Sequence, residues 1–70
     1  MKPITARALM KILGKHGFAT ARQKGSHVIC KNIRTNVIVP VPLHGKSKPI
    51  PIGTLQVIIK QSKIPKEEFE

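Results

Sequence analysis

Three histidines (His16, His27, His44), one cysteine and many cations are the reactive side chains of this 70-residue chain. Carboxylates are scarce: Glu67, Glu68 and Glu70 are the whole acidic complement, and none precedes Lys66. That scarcity removes several reaction classes. Mg²⁺ and Ca²⁺ sites are built from oxygen ligands, mostly carboxylates, so a two-metal nuclease does not fit. The paired carboxylates of a glycosidase are missing. Cys30 and the scattered histidines show no zinc-ligand spacing. There is no Gly-rich loop followed by Lys-Ser/Thr to cradle a phosphate. The expectation is no metal and no cofactor.

Histidine, hydroxyl and cation remain, and one reaction needs little else. RNA carries its own nucleophile, the 2′-hydroxyl beside the scissile phosphate. Imidazole can take and return the protons, and Lys or Arg can stabilise the developing charge on phosphorus. DNA lacks that hydroxyl, so the chemistry is confined to RNA. Of the histidines, His16 falls at the end of a helix, where it suits the last carbonyls and the dipole. His27 follows Lys24-Gly25-Ser26, where Gly25 allows close backbone approach, Ser26 offers a hydroxyl and Arg22 and Lys24 supply charge. On residue types alone it is a candidate for catalysis or an exposed strand histidine. His44 sits in a loop before Lys46 and Lys48, a second candidate contact. Cys30 alternates with Val28 and is expected in the core.

The charge pattern names the substrate class. Thirteen Lys and Arg against three Glu give a formal charge of +10. Such a field suits a polyanion, and nucleic acid is the first candidate. The apolar runs are far too short to span a membrane, no signal peptide is visible, and a lone cysteine reads as intracellular, so a cytoplasmic protein is expected.

These residues must be positioned by a small number of elements, since the chain is one domain over residues 1–70. Pro3 to His16 reads as a helix: Thr5 is its N-cap, Ala6, Leu9 and Leu13 form an apolar stripe, and Arg7, Lys11 and Lys15 run opposite. Gly17 ends it. Phe18 to Gln23 is a first strand, Lys24-Gly25 a tight turn, and Ser26 to Lys31 a second strand with His27, Ile29 and Lys31 on one face. Asn32 to Asn36 is a turn, and Val37 to Val41 a third strand that Pro40 places at an edge. A loop from His44 to Ile52 leads to a helix over Gly53 to Ser62, whose first amides, at Gly53 and Thr54, suit a phosphate or merely ease the turn. Pro65 stops it, and Lys66 to Glu70 is expected to fray unless Phe69 pins it. The order predicts an α+β fold: two helices on one face of a three-stranded antiparallel sheet.

The chain resembles the HicA (YcfA-like) toxins of toxin–antitoxin pairs. The resemblance rests on Lys15-His16-Gly17-Phe18, Lys24-Gly25-Ser26-His27-Val28, Val39-Pro40-Val41-Pro42-Leu43-His44 and Gly53-Thr54-Leu55, and runs from about Ile4 to Phe69. It implies an αβββα fold similar to the double-stranded-RNA-binding domain and a type II system toxin. It further implies an mRNA interferase, an RNA endonuclease that inhibits translation, with His27 as its catalytic residue. The partners it implies are messenger RNA and a HicB-like antitoxin that covers the histidine. Arg22, Lys24, Gly25, Ser26, His44, Lys46 and Lys48 are the expected substrate contacts. The rival reading is a non-catalytic basic RNA-binding module; with Phe18 and Phe69 the only aromatics, it would bind through phosphate charge and shape.

Overall fold

The computed structural model describes residues 2–43, 45 and 48–70. In chain order the elements are α1 (Ala6–Lys15), β1 (Phe18–Lys24), β2 (His27–Asn32), β3 (Ile38–Pro42), α2 (Ile52–Ser62) and a closing 3₁₀ turn, Lys66–Phe69. The strands form one antiparallel sheet in the order β1-β2-β3. Helix α1 packs against β1 and β3, and α2 against β3. The expected α+β architecture is the observed one.

Helix α1 is shorter than the Pro3 to His16 range read from sequence and begins at the expected cap: the Thr5 hydroxyl accepts from the Ala8 amide at 3.1 Å, satisfying a first-turn donor that has no helical partner. Its inward stripe of Ala6, Leu9 and Leu13 meets Val28 and Cys30 of β2 and Val39 and Val41 of β3 in a single core, with Leu55, Ile58 and Ile59 of α2. Alternation along β2 and β3 therefore divides the sheet. Val28, Cys30, Val39 and Val41 are buried beneath the helices, while His27, Lys31, Ile38 and Pro40 are exposed on the opposite, outward side. Truncating a fully buried member of the core such as Leu9 or Leu55 costs about 2–5 kcal/mol.

Three local details differ from the sequence reading. The β1–β2 turn is centred on Gly25-Ser26, not Lys24-Gly25: Lys24 still pairs, directly opposite His27, and Gly25 takes φ 59° at the first loop position, as a type II′ hairpin turn requires. The chain end is not frayed. Phe69 is buried in the core, and Glu68 Oε1 lies 3.3 Å from His16 Nε2. His16 thus turns its ring to the tail carboxylate, not to the last carbonyls of α1.

Asn32 is the third. Its sequence context places it in a turn, yet it is the last residue of β2 and only 7% exposed. Its side-chain NH₂ donates to the His16 carbonyl at 2.9 Å, and its Oδ1 accepts from the amides of Arg34 (2.9 Å) and Thr35 (3.2 Å). One amide group thereby ties the end of α1 to the β2–β3 turn. Gly17 is required beside it: φ is 92°, and a Cβ there would lie 3.2 Å from Asn32 Nδ2, closer than packed atoms normally approach.

Candidate functional site: a histidine groove between sheet and helix

Strand register gathers the candidate residues on one face. Directly opposed residues of an antiparallel pair share a face. Lys24 pairs with His27, and Arg22 with Ile29, the next outward position on β2. Both cations therefore stand on the outward face with His27. A regular strand would not do this, because Phe18 faces the core and Arg22 and Lys24 lie an even number of residues beyond it. The register shift between Thr20 and Arg22 resolves the conflict: Thr20 opposes Cys30 while Arg22 opposes Ile29. An extra residue at Ala21 re-aims the rest of the strand, the known effect of a β-bulge. Nothing in the sequence signals it, since every residue of β1 after Phe18 is exposed and carries no hydrophobic pattern.

His27 opens β2 immediately after the hairpin turn and is exposed. Its Nδ1 lies 3.5 Å from Ser26 Oγ. The loop is held from the other side as well, since the Leu43 amide donates to the Ser26 carbonyl at 2.6 Å, and the Gln23 side chain donates to the Gly25 carbonyl at 3.3 Å. On β3, Pro42 sits opposite His27 and Pro40 opposite Ile29. The three residues His27, Pro40 and Pro42 form one wall of an open groove of about 340 Å³. Its other wall is α2, through Thr54, Val57 and Gln61, with Pro51 and Ile58 completing the lining. Of these α2 residues the sequence points only to Thr54, and to its backbone amide as a phosphate contact; it does not point to Val57 or Gln61.

The remaining expected contacts separate. Lys24 lies directly opposite His27, Arg22 lies opposite Ile29 one outward position along, and Gly25 and Ser26 form the turn that precedes His27. Lys48 is exposed in the connection to α2 and does not line the groove; its side chain lies against Gly45, and it borders a smaller cavity with Ala6, Pro49 and Ile50. His44 and Lys46 lie outside the described residues. The first turn of α2 follows Pro51 and receives no side-chain cap.

Cys30 is buried, and burial pushes its thiol above the usual range, so the thiolate needed by a nucleophile is disfavoured. Among the described residues no three His, Cys, Asp or Glu side chains form a group that could hold a metal ion, and no helix is long and apolar enough to cross a membrane.

Fold and site together describe a small basic αβββα domain whose exposed histidine lines one open groove, with a serine hydroxyl next to it and two cations on the same face of the sheet. The chain belongs to the HicA toxin family: the family described as the HicA toxin of bacterial toxin–antitoxin systems matches residues 6–64. Membership gives it the role of a toxin in a two-component system with an antitoxin partner. No curated protein matches the sequence.

Proposed function

We propose that this toxin is a metal-independent RNA endonuclease, an mRNA interferase of a type II system, that inhibits translation by cutting messenger RNA in the cytoplasm. A HicB-like antitoxin restrains it by covering His27. The observation that carries the reading is the placement of His27. It is exposed at the mouth of a groove, with Lys24 directly across the strand pair and the Ser26 hydroxyl 3.5 Å from its ring.

That placement supports the following reaction. The RNA 2′-oxygen loses its proton and attacks the adjacent phosphorus. The bond from phosphorus to the 5′-oxygen breaks, and that oxygen gains a proton. The products are a 2′,3′-cyclic phosphate and a 5′-hydroxyl. His27 handles a proton in this exchange as base, acid or both, and Lys24 and Arg22 meet the charge on the phosphate. Ser26 orients the imidazole or the phosphate.

Incubating the purified chain with single-stranded RNA tests the proposal. Fragments ending in a cyclic phosphate are expected, with the same yield in EDTA. His27→Ala should lower the rate by about a hundred- to ten-thousand-fold, the usual contribution of a positioned acid–base group, without changing the thermal midpoint. A mobility shift with no fragments would establish the non-catalytic binder instead. Full cleavage by His27→Ala would remove His27 from the chemistry, and strict Mg²⁺ dependence would overturn the mechanism.

A further inference from the structure

The α2 wall of the groove is a second stripe on a helix whose first stripe is already used. Leu55, Ile58, Ile59 and Ser62 are buried in the core. Thr54, Val57 and Gln61 recur at three- and four-residue spacing, so they share another side of the helix, and all three are exposed. Val57 is 54% exposed, an apolar side chain that the fold leaves beside His27 rather than covering.

The composition of the groove is that of a small-ligand site: mostly apolar walls with a few polar groups, in a volume within the usual range of about 300–1,000 Å³. The apolar surfaces are Pro40, Pro42 and Val57. The polar groups besides His27 are the Thr54 hydroxyl and the Gln61 amide. A primary amide presents a donor and an acceptor side by side, the arrangement that recognises a nucleobase edge. Charge favours an anionic occupant, because the His27 that lines the groove is paired directly with Lys24, and Arg22 stands at the next outward position, opposite Ile29, in a chain of formal charge +10. Both aromatic side chains, Phe18 and Phe69, are buried in the core. A base here therefore has no aromatic ring to stack on, and the proline rings and Val57 are the apolar surface available to its face.

We infer that this groove is the base pocket for the nucleotide whose 2′-hydroxyl meets His27, with Gln61 and Thr54 reading the edge of the base and Pro40, Pro42 and Val57 holding its face. The inference rests on the RNA-endonuclease reading and adds to it the origin of sequence preference.

The test is to map cut positions in a random-sequence RNA pool for the wild type, Gln61→Leu, Gln61→Glu and Thr54→Val. Gln61 and Thr54 are exposed, and thermal midpoints confirm that each variant is folded. The wild type is expected to favour particular bases at the nucleotide 5′ to the cut. Gln61→Leu should flatten that preference about tenfold, the scale of one bidentate base contact. Gln61→Glu, an acceptor only, should redirect preference toward bases presenting an amino donor, and Thr54→Val should give a smaller flattening. A wild type that cuts without preference at that nucleotide overturns the inference, as does a Gln61→Leu enzyme that keeps the wild-type preference. Both results leave cleavage by His27 standing. If Gln61→Leu keeps the preference and loses only antitoxin binding, the groove is a protein contact and the inference fails. If the wild type binds RNA without cutting it, this inference falls with the endonuclease reading.

Discussion

The two ends of strand β2 carry polar side chains in opposite circumstances. At one end, Asn32 is buried and makes three side-chain hydrogen bonds to backbone groups of α1 and the following turn. At the other, His27 is exposed beside Ser26, Lys24 and a groove. Burial makes a polar group expensive unless it is satisfied, so the Asn32 end can serve only as a fixed joint. Exposure makes the His27 end adaptable and accessible, at little cost to the fold. One short strand thus links a structural terminus to the one proposed to do the chemistry. The distance between them, a few residues of rigid ladder, is what places the hairpin turn relative to the helices.

The sharpest break in this comparison is expected at His27. His27→Ala should abolish most RNA cleavage, by two to four orders of magnitude, with an unchanged melting curve. Asn32→Ala should do the reverse. It removes three hydrogen bonds and leaves the His16 carbonyl without its donor, a loss of about 2–4 kcal/mol. In a domain of this size that lowers Tm by about 10 °C or more, readable by circular dichroism. Below its own midpoint the variant should still cut RNA at a near-native rate. A stability loss at His27, or a loss of cleavage in folded Asn32→Ala, would dissolve the distinction between the two ends.

Smaller effects refine the His27 end. The double variant Arg22→Ala, Lys24→Ala should weaken RNA binding nearly uniformly across sequences. It should also reduce the slope of log affinity against log salt by about one for each phosphate contact removed, measured by fluorescence anisotropy. Smallest of all is Glu68→Gln on the structural side. The His16–Glu68 pair is half-buried at His16 and exposed at Glu68, so its loss should cost about 1 kcal/mol or less and shift the melting curve barely, with the tail kept in place by Phe69.

Much of this molecule is legible in its sequence because the signals are local. Thr5 caps α1 with its own hydroxyl. Val28, Cys30, Val39 and Val41 announce their faces by alternation, and Leu9, Leu13, Leu55 and Ile58 by helical spacing. His27 stands out because so little other chemistry is available. What was hidden depends on contacts between distant segments. Asn32 looks like any turn residue until the end of α1 arrives beside it. The acidic tail looks soluble until Phe69 enters the core and Glu68 meets His16. Thr54, Val57 and Gln61 become the wall of a groove only when α2 lies along β3, and no spacing within α2 reveals what it will face. The bulge at Ala21 was invisible for a different reason: a strand exposed along nearly its whole length has no hydrophobic rhythm to interrupt.

That bulge has a consequence for how the hairpin tolerates change in length. It reconciles two parities, inward at Phe18 and outward at Lys24, by absorbing one residue that pairs with nothing. A chain lacking Ala21 would satisfy both with an uninterrupted ladder, since Thr20 and Arg22 already oppose successive residues of β2. Removing one residue at this point therefore preserves the facing of both cations, whereas adding or removing one between Arg22 and Lys24 would turn one of them away from His27. The first strand behaves as an adjustable spacer at its middle and a fixed one at its tip.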